Sequence, residues 1–280
     1  MTSAAARAFV CGHPIAHSRS PVIHRYWLDE LGISGSYEAI DVAPGDFAMF
    51  LKGAAQAGWA GGNVTIPHKE AAFQLVSARD RAAAAVGAVN TLWVEKGAIV
   101  GGNTDAHGFA ANLDDRAPGW RNAGAALVLG AGGAARAVIH ALLEAGVPRV
   151  KVANRSRERA NETAGQFDAR ATAHDWRDLP ALVPAAELLV NTTSLGMAGQ
   201  PPLVVDISPL PQGAIVADIV YTPLETPLLR AARLQGFDAV DGLGMLLHQA
   251  APGFERWFGK RPIVSEALRR YIVTDLEVIR

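Results

Sequence analysis

Leu127-Val128-Leu129-Gly130-Ala131-Gly132-Gly133-Ala134-Ala135-Arg136 is the stretch on which the fold turns. An apolar run at 126–129 enters G-x-G-x-x-A and continues into a helix-like segment at 134–145. In a turn of this kind each small residue has a task. Gly130 permits the tight turn, Gly132 lets backbone N–H groups approach a pyrophosphate, and Ala135 allows the helix to pack close on the sheet. Phosphates then sit at a helix N-terminus, where unpaired N–H groups and the helix dipole favour negative charge. A glycine-rich strand-to-helix turn can also be purely structural, but here the strand and the helix stand in the order a Rossmann-type unit requires.

Working outward, short apolar runs recur at 150–153, 188–190, 215–220 and 239–240, separated by helix-like segments at 156–165 and 227–236. Strands alternating with helices indicate βαβ units and a parallel sheet. The strand at 150–153 ends in Asn154-Arg155-Ser156-Arg157-Glu158-Arg159. An NAD-binding unit usually places a carboxylate at this strand end, ~20 residues past the glycines, to accept from the ribose 2′-hydroxyl. None stands there. Arg155 and Arg159 flank a hydroxyl instead, and guanidinium groups pair with a 2′-phosphate that a carboxylate would repel. Basic residues are also unfavourable at a helix start unless an anion is bound. The expectation is NADP.

Before residue 110 lies a second α/β unit, with strands expected at Val10, 36–42, 61–66 and 90–94 and helices at 21–31, 46–56 and 68–85. Helices return at 243–259 and 264–271, and periodicity does not say which unit they pack on. The Pro- and Gly-containing segment 117–124 is the expected boundary. Three polar clusters in this first unit resist a packing explanation. One is Gly12-His13-Pro14-Ile15-Ala16-His17-Ser18-Arg19-Ser20-Pro21, where Ser20 before Pro21 reads as a helix N-cap while Ser18 has no such role. The second is Gly62-Asn63-Val64-Thr65-Ile66-Pro67-His68-Lys69-Glu70, a strand running into a turn that carries a lysine. The third joins Gly87-Ala88-Val89-Asn90-Thr91 to Gly101-Gly102-Asn103-Thr104-Asp105, whose Asn and Asp are ordinary turn residues by default.

Composition narrows the classes. Of 280 residues, half are hydrophobic and 19% charged, enough for a packed core. Lys and Arg number 26 against 27 Asp and Glu. That balance argues against nucleic acid or a membrane surface as partner. The single cysteine, Cys11, can form neither an internal disulfide nor a zinc cluster. No run approaches the ~18 apolar residues of a membrane span, and the first residues lack a signal peptide's apolar stretch, so a cytoplasmic protein is expected. His13 and His17 are four apart, but Pro14 spoils a helical face between them, and no metal is expected.

H-S-R-S-P, N-V-T-I-P-H-K, G-A-V-N-T, G-x-N-T-D-x-x-G-F, G-A-G-G-A-A-R, N-R-S-R-E-R-A, N-T-T-S-L-G-M, D-I-V-Y-x-P and G-x-x-M-L-L-H-Q occur here in the order found in shikimate dehydrogenases. The chain resembles that family from about residue 9 to 262. The resemblance implies an α/β fold of two domains. Residues 1–110 would form a substrate-binding domain completed by the C-terminal helices of 243–280, residues 111–242 a Rossmann-type NADP-binding domain, with a cleft between them. It implies NADPH-dependent reduction of 3-dehydroshikimate to shikimate, in the route to chorismate and the aromatic amino acids. Its substrate-binding positions fall on Ser18, Ser20, Thr65, Asn90, Asp105, Tyr221 and Gln249, and its general acid/base on Lys69, with Asp105 beside it. Its phosphate loop maps to Gly130, Ala131, Gly132, Gly133 and Ala134, and its adenosine-phosphate clamp to Asn154, Arg155, Ser156 and Arg159. Ile219 and Gly242 match positions beside the nicotinamide. One departure is visible: the family commonly has Asn after the residue matching His24, and here Arg25 stands.

The substrate class suits the list. A small polyhydroxylated carboxylate offers hydrogen-bonding groups and little apolar area, so its site should be lined by Ser, Thr, Asn, Tyr and Gln rather than by apolar walls. Hydride transfer to a ketone develops an alkoxide that needs a proton within reach, and a lysine ammonium is an acid at neutral pH. A quinate or broad-specificity quinate/shikimate dehydrogenase is the nearest rival, since preference at the ring carbon bearing the carboxylate is not legible. A folate-type dehydrogenase would leave the serine pair and the G-x-N-T-D segment without purpose. A non-catalytic NADP sensor would not need both Lys69 and Asp105. A monomer and a homodimer fit the sequence equally.

Overall fold

The computed structural model describes residues 5–278. Among these the chain runs β1 (Ala6–Gly12), α1 (Ser20–Leu31), β2 (Gly35–Asp41), α2 (Phe47–Ala54), β3 (Gly61–Val64), α3 (Lys69–Leu75), β4 (Ala78–Arg79), α4 (Arg81–Val86), β5 (Thr91–Glu95) and β6 (Ala98–Gly102). Then come α5 (Asp105–Arg116), β7 (Ala126–Leu129), α6 (Gly133–Glu144), β8 (Val150–Asn154), α7 (Arg157–Ala164), β9 (Ala171–Asp175), α8 (Leu179–Leu182) and β10 (Leu188–Asn191). The last elements are β11 (Ile215–Asp218), α9 (Pro227–Leu234), β12 (Asp238–Val240), α10 (Leu243–Phe258) and α11 (Glu266–Val278). Two units result, one holding the chain up to Thr104 together with the part from Leu247 onward, the other Asp105–Leu246.

The second unit is built on a parallel sheet in the order β12-β11-β10-β7-β8-β9. Numbered from β7, that is the doubly wound dinucleotide-binding order, with its switch point between β7 and β10. Every residue of β7, β10 and β11 is buried, as strands covered on both faces must be. Their apolar side chains enter a core with Ile207, Leu228 and Leu229. Leu129, Asn191 and Asp218 lie in register where the three strands end. Ligands bind outside this carboxyl edge in open α/β sheets.

The first unit carries a mixed sheet, β2-β1-β3-β5-β6-β4, in which β1 is parallel to both neighbours and β5 antiparallel to both of its own. Phe9, Phe47, Leu51, Val64 and Leu92 fill its core. The C-terminal helices belong to this unit, a point periodicity leaves open. Trp257 is buried and its indole N–H donates to the Leu92 carbonyl at 2.8 Å. Trp27 in turn donates to the Ile263 carbonyl at 3.1 Å.

Four expectations need correcting. The helix expected over 68–85 is two helices, because the backbone turns extended at Val76 and β4 pairs with β6 before Asp80 caps α4 by accepting from Ala83 N at 2.7 Å. Strands β6 and β9 lie where none was expected. The units divide ahead of α5, not at 110 or within 117–124, because α5 packs on α6 and Asn112 donates to the Asp241 carbonyl at 2.8 Å. Finally, Ser20 is no N-cap: Arg19 occupies that position without a side-chain bond, and Ser20 begins the helix buried.

Candidate active site

In the first unit the three polar clusters meet at one edge of the sheet. β1 ends at Gly12, β3 at Val64 and β6 at Gly102, and the antiparallel β5 begins beside them at Thr91. Backbone bonds knit the loops together. Thr65 N donates to the Cys11 carbonyl at 2.9 Å and His13 N to the Ile66 carbonyl at 3.1 Å. Val89 N donates to the Lys69 carbonyl at 3.0 Å, and Val64 N to the Asn90 carbonyl at 2.8 Å. The structure therefore gathers Thr65, Lys69 and Asn90 at a single edge, with Lys69 half-buried as the first residue of α3. Ser18 precedes α1, half-buried, with its hydroxyl 3.4 Å from the Ser20 amide. The neighbouring His68 has a packing role, its Nε2 lying 2.7 Å from the Val42 carbonyl and its ring stacked on Phe47.

Behind these residues lies a polar layer that the sequence reading missed. The buried Tyr37 hydroxyl donates to Asn63 Oδ1 at 2.6 Å. Asn63 Nδ2 donates to the Asn90 carbonyl at 3.1 Å. Thr91 Oγ1 donates to Asn90 Oδ1 at 2.8 Å, and Thr104 N does so at 2.9 Å. Asn90 Oδ1 is thus turned toward donors, which fixes the flip of its amide and makes the other end the donor face. Thr104 Oγ1 also reaches Gln249 Oε1 on α10 at 3.5 Å. Burial pushes the Tyr37 phenol well above its ordinary pKa and the His24 imidazole down to about 3, so both are neutral under Asn63 and Ser20. Asn63 and Thr91 lie inside motifs quoted from the sequence, but their partners are distant in the chain. Arg25 is exposed on α1 while His24 is buried, so the departure from the family pattern leaves the serine pair untouched.

In the second unit β7 delivers the chain into the glycine turn. Gly130 takes φ +107°, and a Cβ there would stand 2.8 Å from Thr192 Oγ1. Thr192 closes the turn from below, donating to the Leu129 carbonyl from both its amide and its hydroxyl, at 2.9 and 2.7 Å. Gly132 caps α6 with no side-chain bond, and a Cβ there would meet nothing within 4 Å. Main-chain N–H groups of a twelve-residue helix start thus stand beside open space, which fits a dinucleotide phosphate.

At the end of β8, Asn154 Nδ2 donates to the Ser156 carbonyl at 3.0 Å, and Ser156 caps α7 by accepting from Arg159 N at 3.2 Å. Arg157, Arg170 and Arg177 nearby each pair with an aspartate. Arg155 and Arg159 are exposed and pair with no carboxylate among the described residues. One contact runs against the phosphate reading: the Ser156 hydroxyl donates to Glu158 Oε2 at 2.9 Å. Ile219 follows β11, Tyr221 lies two residues further on, and Asp105 begins α5, all half-buried. Gly242 donates to the Val220 carbonyl at 3.2 Å, and any Cβ on it would strike the Ile219 carbonyl. Among the described residues no group of three or more His, Cys, Asp or Glu could hold a metal ion, and no helix is long and apolar enough to cross a membrane.

Comparison with known proteins gives this arrangement a family. Residues 10–92 match the model for the shikimate dehydrogenase substrate binding domain, 116–208 that for shikimate / quinate 5-dehydrogenase, and 242–265 that for the shikimate 5′-dehydrogenase C-terminal domain. The chain belongs to the shikimate dehydrogenase family. Shikimate dehydrogenase (NADP(+)) of Mesorhizobium japonicum is 59% identical over 276 residues, covering 99% of each chain. Among solved structures, shikimate 5-dehydrogenase of Thermus thermophilus in complex with NADP(H) and shikimate is 40% identical with a TM-score of 0.85, over 95% of this chain and 99% of that one. Quinate dehydrogenase of Corynebacterium glutamicum in complex with NAD is 31% identical with a TM-score of 0.89, over 96% and 99%. The proteins similar to this chain thus include enzymes named for shikimate and for quinate, and complexes with NADP(H) and with NAD.

Proposed function

We propose that this chain is an NADP-dependent shikimate dehydrogenase, catalysing the reversible reduction of 3-dehydroshikimate to shikimate. The observation that carries the reading is the gathering of Lys69, Thr65 and Asn90 at one sheet edge, in a chain 59% identical to relatives of that name and cofactor. NADPH, when bound, supplies the hydride. Lys69 gives its ammonium proton to the carbonyl oxygen as the carbon is reduced, so the ketone gains one hydride and one proton and leaves as an alcohol. Asp105 is assigned the part of orienting that ammonium group. Asn90, its amide flip fixed by Thr91 and Thr104, donates to a substrate hydroxyl, with Thr65 and Gln249 serving the others. The Ser18, Ser20 and Tyr221 hydroxyls hold the carboxylate. Backbone amides from Gly130 to Ala134 take the pyrophosphate, Ile219 and Gly242 flank the nicotinamide, and Asn154, Arg155, Ser156 and Arg159 take the 2′-phosphate, with Glu158 swinging off Ser156 to admit it.

Such an enzyme belongs to the biosynthesis of chorismate and the aromatic amino acids and works in the cytoplasm. A small-molecule acid is its partner, and a monomer or a homodimer would serve alike. The test is turnover of shikimate and of quinate with NADP and with NAD, in all four pairings. Shikimate with NADP should give the highest kcat/KM. A preference for quinate, or for NAD, would replace the reading with the quinate dehydrogenase alternative.

A further inference from the structure

Asp218 and Asn191 have no part in the chemistry above, yet they are among the most buried polar side chains in the protein, at 1% and 0% exposure. They are the last residues of β11 and β10 and lie side by side in register. Asn191 Nδ2 donates to Asp218 Oδ1 at 2.9 Å. Val220 N donates to the same oxygen at 3.0 Å, and the Thr226 hydroxyl donates to Asp218 Oδ2 at 2.8 Å. On its other side Asn191 Oδ1 accepts from the amide and the hydroxyl of Thr193, at 3.0 and 2.7 Å. The Thr193 hydroxyl accepts in turn from Leu195 N at 3.1 Å. A second link joins the same loops where Ala198 N donates to the Thr222 carbonyl at 2.8 Å.

One buried carboxylate therefore pins three segments: the 219–221 turn, the 192–196 loop and the start of α9. The first carries Ile219 and Tyr221, and the second lies against Gly130 through Thr192. A structural role alone would be served more cheaply by apolar side chains, since burying a charge costs free energy unless its hydrogen bonds are made. Here they are made, and one donor, Val220 N, belongs to the turn that carries Ile219, which flanks the nicotinamide in the proposed function.

We infer that Asp218, seconded by Asn191 and Thr226, is a positioning residue that shapes the nicotinamide half of the cofactor site without touching the reacting atoms. The inference rests on the NADP-dependent reading above, and the experiment separates the two. Dissociation constants of NADPH and of adenosine 2′,5′-bisphosphate, which carries only the adenosine half, are measured by calorimetry. They are taken for the wild type, Asp218→Asn, Thr226→Val and Thr226→Ser, alongside kcat at saturating cofactor.

Asp218→Asn and Thr226→Val should weaken NADPH by ~10-fold or more, the scale of a lost hydrogen bond to a charged group, and lower kcat as well. The bisphosphate should change by less than ~2-fold, and Thr226→Ser, which keeps the hydroxyl, should restore both parameters. Equal weakening of both ligands would make the cluster merely structural and overturn the inference, as would unchanged NADPH binding and kcat. A wild type that binds neither ligand would instead sink the cofactor reading beneath it. Should Asp218→Asn not fold, the Thr226 pair carries the test, because it removes and restores one donor.

Discussion

Among the described residues Arg155 and Arg159 differ from the arginines around them in lacking a carboxylate partner, so pairing with a 2′-phosphate would cost no ion pair found there. Replacing Arg155 by Ala is expected to weaken NADPH by ~10-fold, the worth of one charge-assisted hydrogen bond, and NADH little. Direct binding of both cofactors checks this, and equal losses would contradict it. Cys11 is the opposite kind of residue. It is buried at 0% exposure, and burial pushes its thiol up to about 12. Native protein should therefore leave Ellman's reagent unreacted for as long as it stays folded, and a prompt stoichiometric reaction would show the site to be open. At this scale the sequence was readable where chemistry is local. Lys69, Thr65 and Asn90 drew attention as polar residues inside short glycine-bearing motifs, and their proposed roles came from the family resemblance, since Asn in such a turn is an ordinary turn residue on its own. Asn63, Tyr37 and Asp218 drew none, because a buried polar residue is recognised by its partners, and Tyr37 and Asn63 are 26 residues apart.

Helix α10 shows how an element late in the chain secures the first unit. Trp257 packs its indole against Gly61 and Gly253 and ties β5 through the Leu92 carbonyl. Trp257→Ala should cost ~3–5 kcal/mol, the usual range for emptying a buried aromatic site, read as the loss in urea unfolding free energy. A loss below about 1 kcal/mol would mean the helix is not anchored there. The strands of the second unit were legible as apolar runs because burial on both faces leaves no polar alternation. β6 was hidden by its glycine ending and by a turn through Lys96-Gly97, which takes positive φ of 51° and 79° without the usual Asn-Gly signature. The helix break after Leu75 carried a signal that went unread: Asp80 at the head of an alanine run is an N-cap.

Across the whole molecule the charges nearly cancel, and the pH response of stability comes from the groups whose proton affinity changes on folding. Asp218 is the clearest, its carboxyl pushed by burial from 3.8 up to about 6 despite three donors. The folded state thus holds this proton more firmly than the unfolded chain. Its contribution is fully present below about pH 4 and is lost as pH rises through about 6. The difference in unfolding free energy between wild type and Asp218→Asn should therefore shift by ~3 kcal/mol against the wild type from about pH 3 to about pH 7. A difference that stays flat with pH would show the carboxyl titrating normally. Division into two units was legible from the strand–helix pattern and motif order, whereas the point of division was not, because it depends on which neighbour α5 packs against.

In the proposed reaction Lys69 is the residue that moves a proton. The most direct test is the steady-state reduction of 3-dehydroshikimate by NADPH in the wild type and in Lys69→Ala. The substitution should lower kcat by ~100-fold or more while KM for either ligand changes little, the mark of a lost general acid. A Lys69→Ala enzyme that turns over near the wild-type rate would contradict the account.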